Sequence, residues 1–261
     1  MQAEIGIIGG TGLYDPQLLK NVEEVEVNTP FGAPSDLFTI GELAGRRVAF
    51  LPRHGRKHTI RPTDVNSRAN MFAFKKLGVQ RVLAVSTVGS LKEEYVPGDL
   101  AFVDQFIDRT TRREQSFYTE GKVCHISVAD PMCPEIRKVL IAVAKAAKIK
   151  AHPTGTYVCI EGPRFSTKAE SKLFRQWGAD VVGMTLVPEC VLAREAELCY
   201  ASMATVTDYD CWKDHPVSTE EIVTTMKANI EKVKKILIET ILKLPAERGC
   251  DCKDALKNAF L

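Results

Sequence analysis

The feature that most constrains this chain is an alternation. Short apolar runs rich in Val and Ile, each bounded by turn residues, recur at 5–10, 46–53, 81–87, 99–106, 155–162, 179–184 and 200–207. Runs of that length and composition read as strands. Helical patterns lie between several of them. In 63–78, Val65, Ala69, Phe72, Ala73, Lys76 and Leu77 fall at helical spacing and Gly78 ends the run. Residues 133–149 carry Pro134 near their first turn. Residues 166–178 run from a Ser cap to Gly178. Residues 218–244 open with Ser218 and Glu221 at capping-box spacing. Strands alternating with helices predict one α/β domain over 1–261, with a mixed, partly parallel twisted sheet flanked by helices. There is no internal repeat, low-complexity tract or obvious linker.

Composition enters as a set of exclusions. Hydrophobic residues make up 45% and charged residues 26% of 261, the balance of a globular chain with a sizeable core. A net charge of +2 argues against a nucleic-acid partner. No apolar run reaches the roughly 18 residues of a membrane span, and the N-terminus lacks a secretory pattern. The expected compartment is the cytoplasm. Eight cysteines stand at Cys124, Cys133, Cys159, Cys190, Cys199, Cys211, Cys250 and Cys252. None of the spacings is C-x-x-C, which argues against a structural zinc site. Buried free thiols are the plain expectation; intracellular disulfides, as in hyperthermophiles, are the other, and the spacing of Cys250 and Cys252 marks them as a candidate pair.

The first strand runs into a glycine turn, EIGIIGGTGLYDP at 4–16. A dinucleotide fingerprint needs G-x-G-x-x-G opening a helix, but starting from Gly10 the third position is Asp15. The looser spacing Gly6, Gly9, Gly12 does match, and Tyr-x-x-x-Lys occurs twice, at Tyr118/Lys122 and Tyr209/Lys213, so a short-chain NAD-dependent dehydrogenase is one alternative. It weakens because the stretch after Gly12 is short and broken by Pro16, and neither Tyr-Lys pair lies in a helical pattern. A glycine turn with a hydroxyl at Thr11 also suits an anion held by backbone N–H groups.

Other groupings follow strands. PRHGRKHTIRP at 52–62 concentrates Arg53, His54, Arg56, Lys57, His58 and Arg61; arginine forks match phosphate oxygens, and a solvated basic loop is the plainer reading. STVGSL at 86–91 places Ser86 and Thr87 at a strand end. EGPRFST at 161–167 sets Phe165, a stacking platform or a core residue, beside Ser166 on a strand-to-helix turn. GMTLVPE at 183–189 carries Met184 and Thr185 into a helix, and VTDYDCW at 206–212 ends a strand with Asp208 and Asp210. Two carboxylates one residue apart on a strand point to the same face; no nearby set of ligands completes a metal site.

Together these motifs resemble the trimeric-type purine nucleoside phosphorylases. The resemblance rests on GIIGGTGL, TPFGAPSD, RHGRKHTI, VGSL, PGDL, DQFIDRTT, QSFY, CHI, EGPRFST, WGADVVGMT, VPE and ATVTDYDCWK, in order over about residues 4–213. It is closest to the members that cleave S-methyl-5′-thioadenosine. It implies a single domain with the sheet curled into a distorted barrel. It implies a phosphate site at Thr11, Arg53, His54, Ser86, Thr87 and Thr185, Met184 against the ribose, and Phe165 and Ser166 near the base. Asp208 and Asp210 would read the purine edge and supply the catalytic proton. Where Asp208 stands, relatives specific for 6-oxopurines usually carry Asn; an ionised Asp favours a 6-amino group. Thr219, Ile222 and Val223 would line the 5′ pocket. His125 would close it from a neighbouring subunit of a homotrimer, or of a hexamer built as a dimer of trimers. Inorganic phosphate is the implied co-substrate, with no cofactor or metal. Cys133 and Cys199 are implied to be neighbours. The chain departs from the human-type pattern in shorter polar stretches before CHI and after CWK, which bears on the 5′ pocket. The alternatives are a broader purine nucleoside phosphorylase and a nucleoside-binding module without catalysis.

Overall fold

The strand runs assemble into one 11-stranded sheet in the computed structural model, which describes residues 2–10, 19–213 and 217–261. The strands are β1 (Ile5–Gly9), β2 (Lys20–Val25), β3 (Phe38–Leu43), β4 (Arg46–Pro52), β5 (Arg81–Ser90), β6 (Leu100–Phe102), β7 (Gln105–Asp108), β8 (Ala151–His152), β9 (Thr156–Cys159), β10 (Val181–Gly183) and β11 (Cys199–Asp208). The helices are α1 (Ser67–Lys76), α2 (Pro134–Ala146), α3 (Lys168–Gln176), α4 (Leu186–Glu195) and α5 (Thr219–Lys243).

The organising element is β5, whose 10 residues outlast the 5 of β1. Its first half pairs in parallel with β1, Ile5 opposite Arg81. Beyond the end of β1 the same edge is taken by β10 in antiparallel register, Val182 opposite Gly89. The other edge pairs in parallel with β11 along almost its whole length. The sheet therefore forks at β5. One path runs β2-β3-β4-β1-β5-β10-β9-β7, and a branch runs β11-β6-β8. The expected distorted barrel does not close: the outermost strands stay unpaired with one another, because the fork diverts the sheet into branches instead of curling it round.

Period-two alternation sends the central strands' side chains to two cores. On one face Val82, Ala84, Tyr200 and Ala204 pack with Met71 and Phe74 of α1 and Cys190 and Leu192 of α4. On the other, Leu83, Val85, Ala201 and Met203 pack with Ile136 and Leu140 of α2 and Ile236 and Ile241 of α5. A smaller cluster under α3 joins Val158, Phe174 and Val182.

The helix expectations hold with shifted ends. A separate 3-10 turn occupies Pro62–Asp64, and the helix starts after Asn66, whose side chain accepts from Ala69 N at 3.1 Å. Thr167, not Ser166, caps α3, in a reciprocal capping box with Glu170. Ser218 caps α5 by accepting from Glu221 N at 3.1 Å. The single run read at 99–106 is two strands, β6 and β7, which join different branches of the sheet. β2, β3 and β8 were not anticipated; β2 is an exposed edge strand with the sequence KNVEEV, which shows no buried face. Among the described residues no helix is long and apolar enough to cross a membrane.

All eight cysteines are free thiols. Cys133 and Cys199 do meet, in a group with Cys250 and Cys252. The closest approaches recorded there, 3.3 Å for Cys199–Cys250 and 3.6 Å for Cys133–Cys250, far exceed the roughly 2.05 Å of an S–S bond. Cys133 and Cys199 are thus neighbours as expected, but neither they nor the candidate pair Cys250 and Cys252 are joined in the expected disulfide bonds.

Candidate functional site

Because β1, β4, β5 and β11 run parallel where they pair, their carboxyl ends open on one side. In open α/β sheets ligands lodge outside those ends, where the connections diverge. Here the divergence is the fork in β5. Gly9 and Gly10 arrive from β1, and Arg53 and His54 from β4, with Arg53 N donating to Gly9 O at 2.9 Å. The antiparallel register of β10 against β5 carries Met184 and Thr185 back toward Thr87 and Ser86. At the end of β11, Asp208 lies opposite Gly89. Thr11 and Gly12 lie outside the described residues.

One end of this crevice is built around a buried cation. Arg53 follows a strand that ends between the two cores, so its guanidinium is enclosed. Nε and Nη2 donate to the Glu189 carboxylate at 2.5 and 3.1 Å, and Nη1 donates to Val85 O at 2.8 Å. Tyr200 Oη donates to the same carboxylate at 2.9 Å. Burial works against the Arg53 charge, but Glu189 more than offsets it and holds the pKa above its ordinary value. His54 is the reverse case. Burial, reinforced by the neighbouring Arg53 charge, pushes its pKa down to about 4. Its Nδ1 lies 3.0 Å from Ile60 O, which can only accept, so the neutral ring carries its proton on Nδ1 and presents a lone pair at Nε2. Ser86 Oγ is buried with no hydrogen-bond partner. An orphaned hydroxyl at the fork is costly unless something else occupies the site. Thr87 is exposed on the opposite side of β5. Thr185 is the N-terminal flanking residue of α4, its own side chain making no cap, and its N–H donates to Tyr157 Oη at 3.3 Å. That phenol comes so close that a Cβ on Gly183 would collide with it.

The other end is acidic. Asp208 closes β11, and Thr207 Oγ1 and Asp210 N donate to its two carboxylate oxygens, both at 2.8 Å. Burial pushes the Asp208 pKa up to about 6; the charges of Asp210 and Glu221 add to the rise and the two hydrogen bonds oppose it. Burial also raises Asp210, against the hydroxyls of Ser171 and Ser166 beside it. The expected reason for their proximity needs correcting. Asp210 has left the strand and sits in a turn with φ +49°, so the pair meets through that turn and not through strand alternation. Gly89 makes room for it: a Cβ there would lie 2.9 Å from Asp208 Oδ1.

The remaining expected residues surround these two ends unequally. Met184 packs its sulfur against Gly162 and the Pro62 side is equally close. Ser166 joins the acidic end through its carbonyl, which accepts from Cys211 Sγ at 3.2 Å. Phe165 is 41% exposed. Thr219 is exposed, with Ile222 and Val223 half-buried, on the first turns of α5; Glu221 on that stretch is near enough to act on Asp208. His125 is exposed, its N–H donating to Ala259 O at 2.7 Å, and within the single chain it is not gathered into this cluster.

Several partners escaped the sequence reading. Glu189 was visible as one acid inside the apolar run LVPECVLA, a placement that demands a cation, but nothing local named Arg53 as that cation. Arg113 donates from Nη1 to Met184 O at 2.7 Å and Val187 O at 2.6 Å and pairs with Glu161, fixing the backbone beside Thr185. Burial alone would raise Glu161, yet hydrogen bonds from Thr63, Thr111 N and Arg112 N, with the Arg113 charge, take it down to about 2. These residues come from loops far apart in sequence, and no spacing pattern marks them. Tyr118 and Tyr209, the tyrosines of the dehydrogenase alternative, both lie outside helices.

Comparison with known proteins is consistent with this geometry. The family model described as "Phosphorylase superfamily" matches residues 4–243. The S-methyl-5′-thioadenosine phosphorylase of Nitrosopumilus maritimus (strain SCM1) is 56% identical over 98% of this chain and 97% of its own length. The crystal structure of a methylthioadenosine phosphorylase sourced from an antarctic soil metagenomic library superposes with a TM-score of 0.95 at 43% identity, covering 100% of this chain and 93% of that one. A variant of the adenosine/methylthioadenosine phosphorylase of Schistosoma mansoni, solved with methylthioadenosine, gives 0.92 at 40% identity over 98% and 96%. With a family model across most of its length and a relative sharing more than half its residues end to end, this chain belongs to the phosphorylase superfamily.

Proposed function

We propose that this protein catalyses the reversible phosphorolysis of S-methyl-5′-thioadenosine to adenine and S-methyl-5-thio-α-D-ribose 1-phosphate, a purine-salvage reaction. The observation that carries the reading is the division of one crevice into a buried, permanently cationic end and a buried, protonatable acidic end. Relatives of that name, and a related structure holding methylthioadenosine, support the substrate.

Phosphate binds at the Arg53 end. Glu189 and Val85 occupy three guanidinium N–H groups, which leaves one on each Nη for phosphate. His54, neutral and with its lone pair at Nε2, accepts from a P–OH and so selects a protonated phosphate. Ser86 Oγ, the Thr185 hydroxyl and Thr11 complete the set, and Thr87, whose side chain faces away, can join it only through its backbone. The nucleoside lies between the ends, with Met184 against the ribose and Phe165 and Ser166 near the base. As the C1′–N9 bond lengthens, positive charge grows on the sugar, and the phosphate anion on the opposite face stabilises it before bonding to C1′. N9 leaves with the bonding electrons, and the purine takes a proton at N7. Asp208 supplies it, since a carboxyl titrating at about 6 is both protonated often enough and acidic enough for the task. Asp210 orients Asp208 through its backbone N–H. An Asp facing the 6-position accepts from an amino group and disfavours a 6-carbonyl. Phosphate is a co-substrate and no step requires a cofactor.

The enzyme is proposed to act as one domain over 1–261, in the cytoplasm, where eight thiols suit a reducing compartment. The 5′ methylthio group is apolar and needs a dry pocket. Thr219, Ile222 and Val223 would wall one side, and His125, exposed on its own chain, would close the pocket of a neighbouring copy in a homotrimer or hexamer. His125→Ala is then expected to raise the nucleoside KM several-fold while leaving the phosphate KM unchanged; a fully active monomer overturns this part.

The deciding experiment incubates the protein with S-methyl-5′-thioadenosine, adenosine and inosine, with and without phosphate, and measures free base. Phosphate-dependent adenine release fastest from S-methyl-5′-thioadenosine is expected. Base release without phosphate, or nucleoside binding without release, sinks the reading; equal turnover of all three favours the broader phosphorylase.

A further inference from the structure

Four cysteines that play no part in the crevice converge elsewhere. Cys133 flanks the N-terminus of α2, Cys199 opens β11, and near the C-terminus Cys250 flanks and Cys252 lies within a 3-10 turn (Asp251–Asp254). All four are buried in the core shared by α2 and α5, and their sulfurs lie within 4.8 Å of one another. Zinc bonds thiolate sulfur at about 2.3 Å, which sets the sulfurs of a tetrahedral site roughly 3.8 Å apart. The recorded separations of 3.3 and 3.6 Å bracket that value closely from below, and the 4.8 Å limit does so from above. We propose that Cys133, Cys199, Cys250 and Cys252 form a tetrathiolate site for a structural Zn²⁺ that fastens the C-terminal segment to α2 and β11.

The absence of C-x-x-C does not weigh against this, because the site is assembled by tertiary structure. The two ligands in Cys250 and Cys252 come from one turn, and the other two are 117 and 51 residues away from Cys250. A metal closing loops of that length restricts the unfolded chain strongly. The surroundings suit a site with net negative charge. Arg81, wholly buried, is the register partner of Cys199 and donates to Glu135 Oε1 and Glu247 O, residues adjoining the cysteines; its Nη1 has no hydrogen-bond partner. A buried arginine on the neighbouring strand favours negative charge on the group. Binding breaks the remaining S–H bonds, forms four Zn–S bonds and releases the thiol protons to solvent. Sulfur is neither oxidised nor reduced.

The test uses the whole chain, reduced, stripped with a chelator and titrated with Co²⁺ as a spectroscopic substitute. Visible d–d bands of a tetrahedral thiolate complex should saturate at one ion per chain and vanish when Zn²⁺ is added. Cys133→Ser and Cys252→Ser should each abolish the bands, while Cys211→Ser, outside the cluster, should keep them. Zn²⁺ should raise the Tm of the stripped protein by on the order of 5 °C. A reduced, folded wild-type protein that develops no saturable Co²⁺ spectrum overturns the proposal without any variant. So does a spectrum that survives both cluster substitutions, or mapping of protein isolated without reductant that finds these cysteines joined as disulfides and metal-free.

Discussion

Both ends of the crevice bury charge, and they handle it in opposite ways. At Arg53 the charge is matched: a carboxylate grips two sides of the guanidinium, a carbonyl takes a third, and a tyrosine steadies the carboxylate. At Asp208 no cation pairs with the charge among the described residues. Its partners are a hydroxyl and a backbone N–H, and the nearby charges of Asp210 and Glu221 are of its own sign. A matched charge is fixed at every working pH, and an unmatched one exchanges protons near neutrality. Phosphorolysis needs one of each: a steady electrostatic hold on the nucleophile and a mobile proton for the leaving base.

Breaking the matched end should have the largest effect. Arg53→Ala leaves Glu189 buried without its counter-charge, a loss of about 3–5 kcal/mol in stability, and should remove phosphate-dependent turnover. The double variant Arg53→Met with Glu189→Gln removes both charges, so most of the stability should return and the activity should not. Chemical denaturation beside the base-release assay reads the two effects apart. If activity returns with stability, Arg53 serves only the fold.

The unmatched end should fail differently. Asp208→Asn is expected to lower turnover of S-methyl-5′-thioadenosine by about 10²–10⁴ and to raise the relative activity on inosine. Wild-type kcat/KM should decline as pH rises through about 6, where the carboxyl loses its proton, and the variant should lack that limb. Equal losses on both substrates, or an unchanged pH limb, would remove Asp208 from the proton transfer.

The same group makes a stability prediction of opposite sign to that at Arg53. The folded pKa of Asp208, about 6, exceeds its ordinary value of 3.8, so between those values the folded state holds more proton than the unfolded. Stability contributed by Asp208 therefore falls as pH rises through that window, and the ionised group is a cost above it. Asp208→Asn should stabilise the protein by about 1–3 kcal/mol at pH 8 and by about half as much at pH 5, measured by urea unfolding. A variant that is less stable at pH 8 contradicts the unmatched character of the site.

The smallest effect is expected at Ser86. Its hydroxyl has no partner among the described residues, so Ser86→Ala should leave stability unchanged or slightly improved, while the phosphate KM rises about five- to ten-fold, the worth of one ordinary hydrogen bond of about 1 kcal/mol. A loss of stability with unchanged phosphate KM would make Ser86 a core residue.

Much of this was legible in order along the chain. Period-two and helical spacing determined most strands and all the long helices, because those patterns follow from local geometry that any sheet or helix must obey. Strand ends announced the chemistry: Arg53, His54, Ser86, Thr185 and Asp208 all stand where a run of apolar residues stops. What the sequence by itself determined, then, is an α/β chain with polar side chains gathered at strand termini. Only the tertiary structure decided which termini meet. The fork in β5 opens the sheet that the sequence led us to expect as a barrel. Glu189 finds Arg53 across 136 residues, and Asp210 turns back on Asp208 through a left-handed residue. The cysteines read as two pairs become one group of four. Each of these depends on approaches between distant segments, and a pairing energy between residues far apart in sequence leaves no periodic trace along either one.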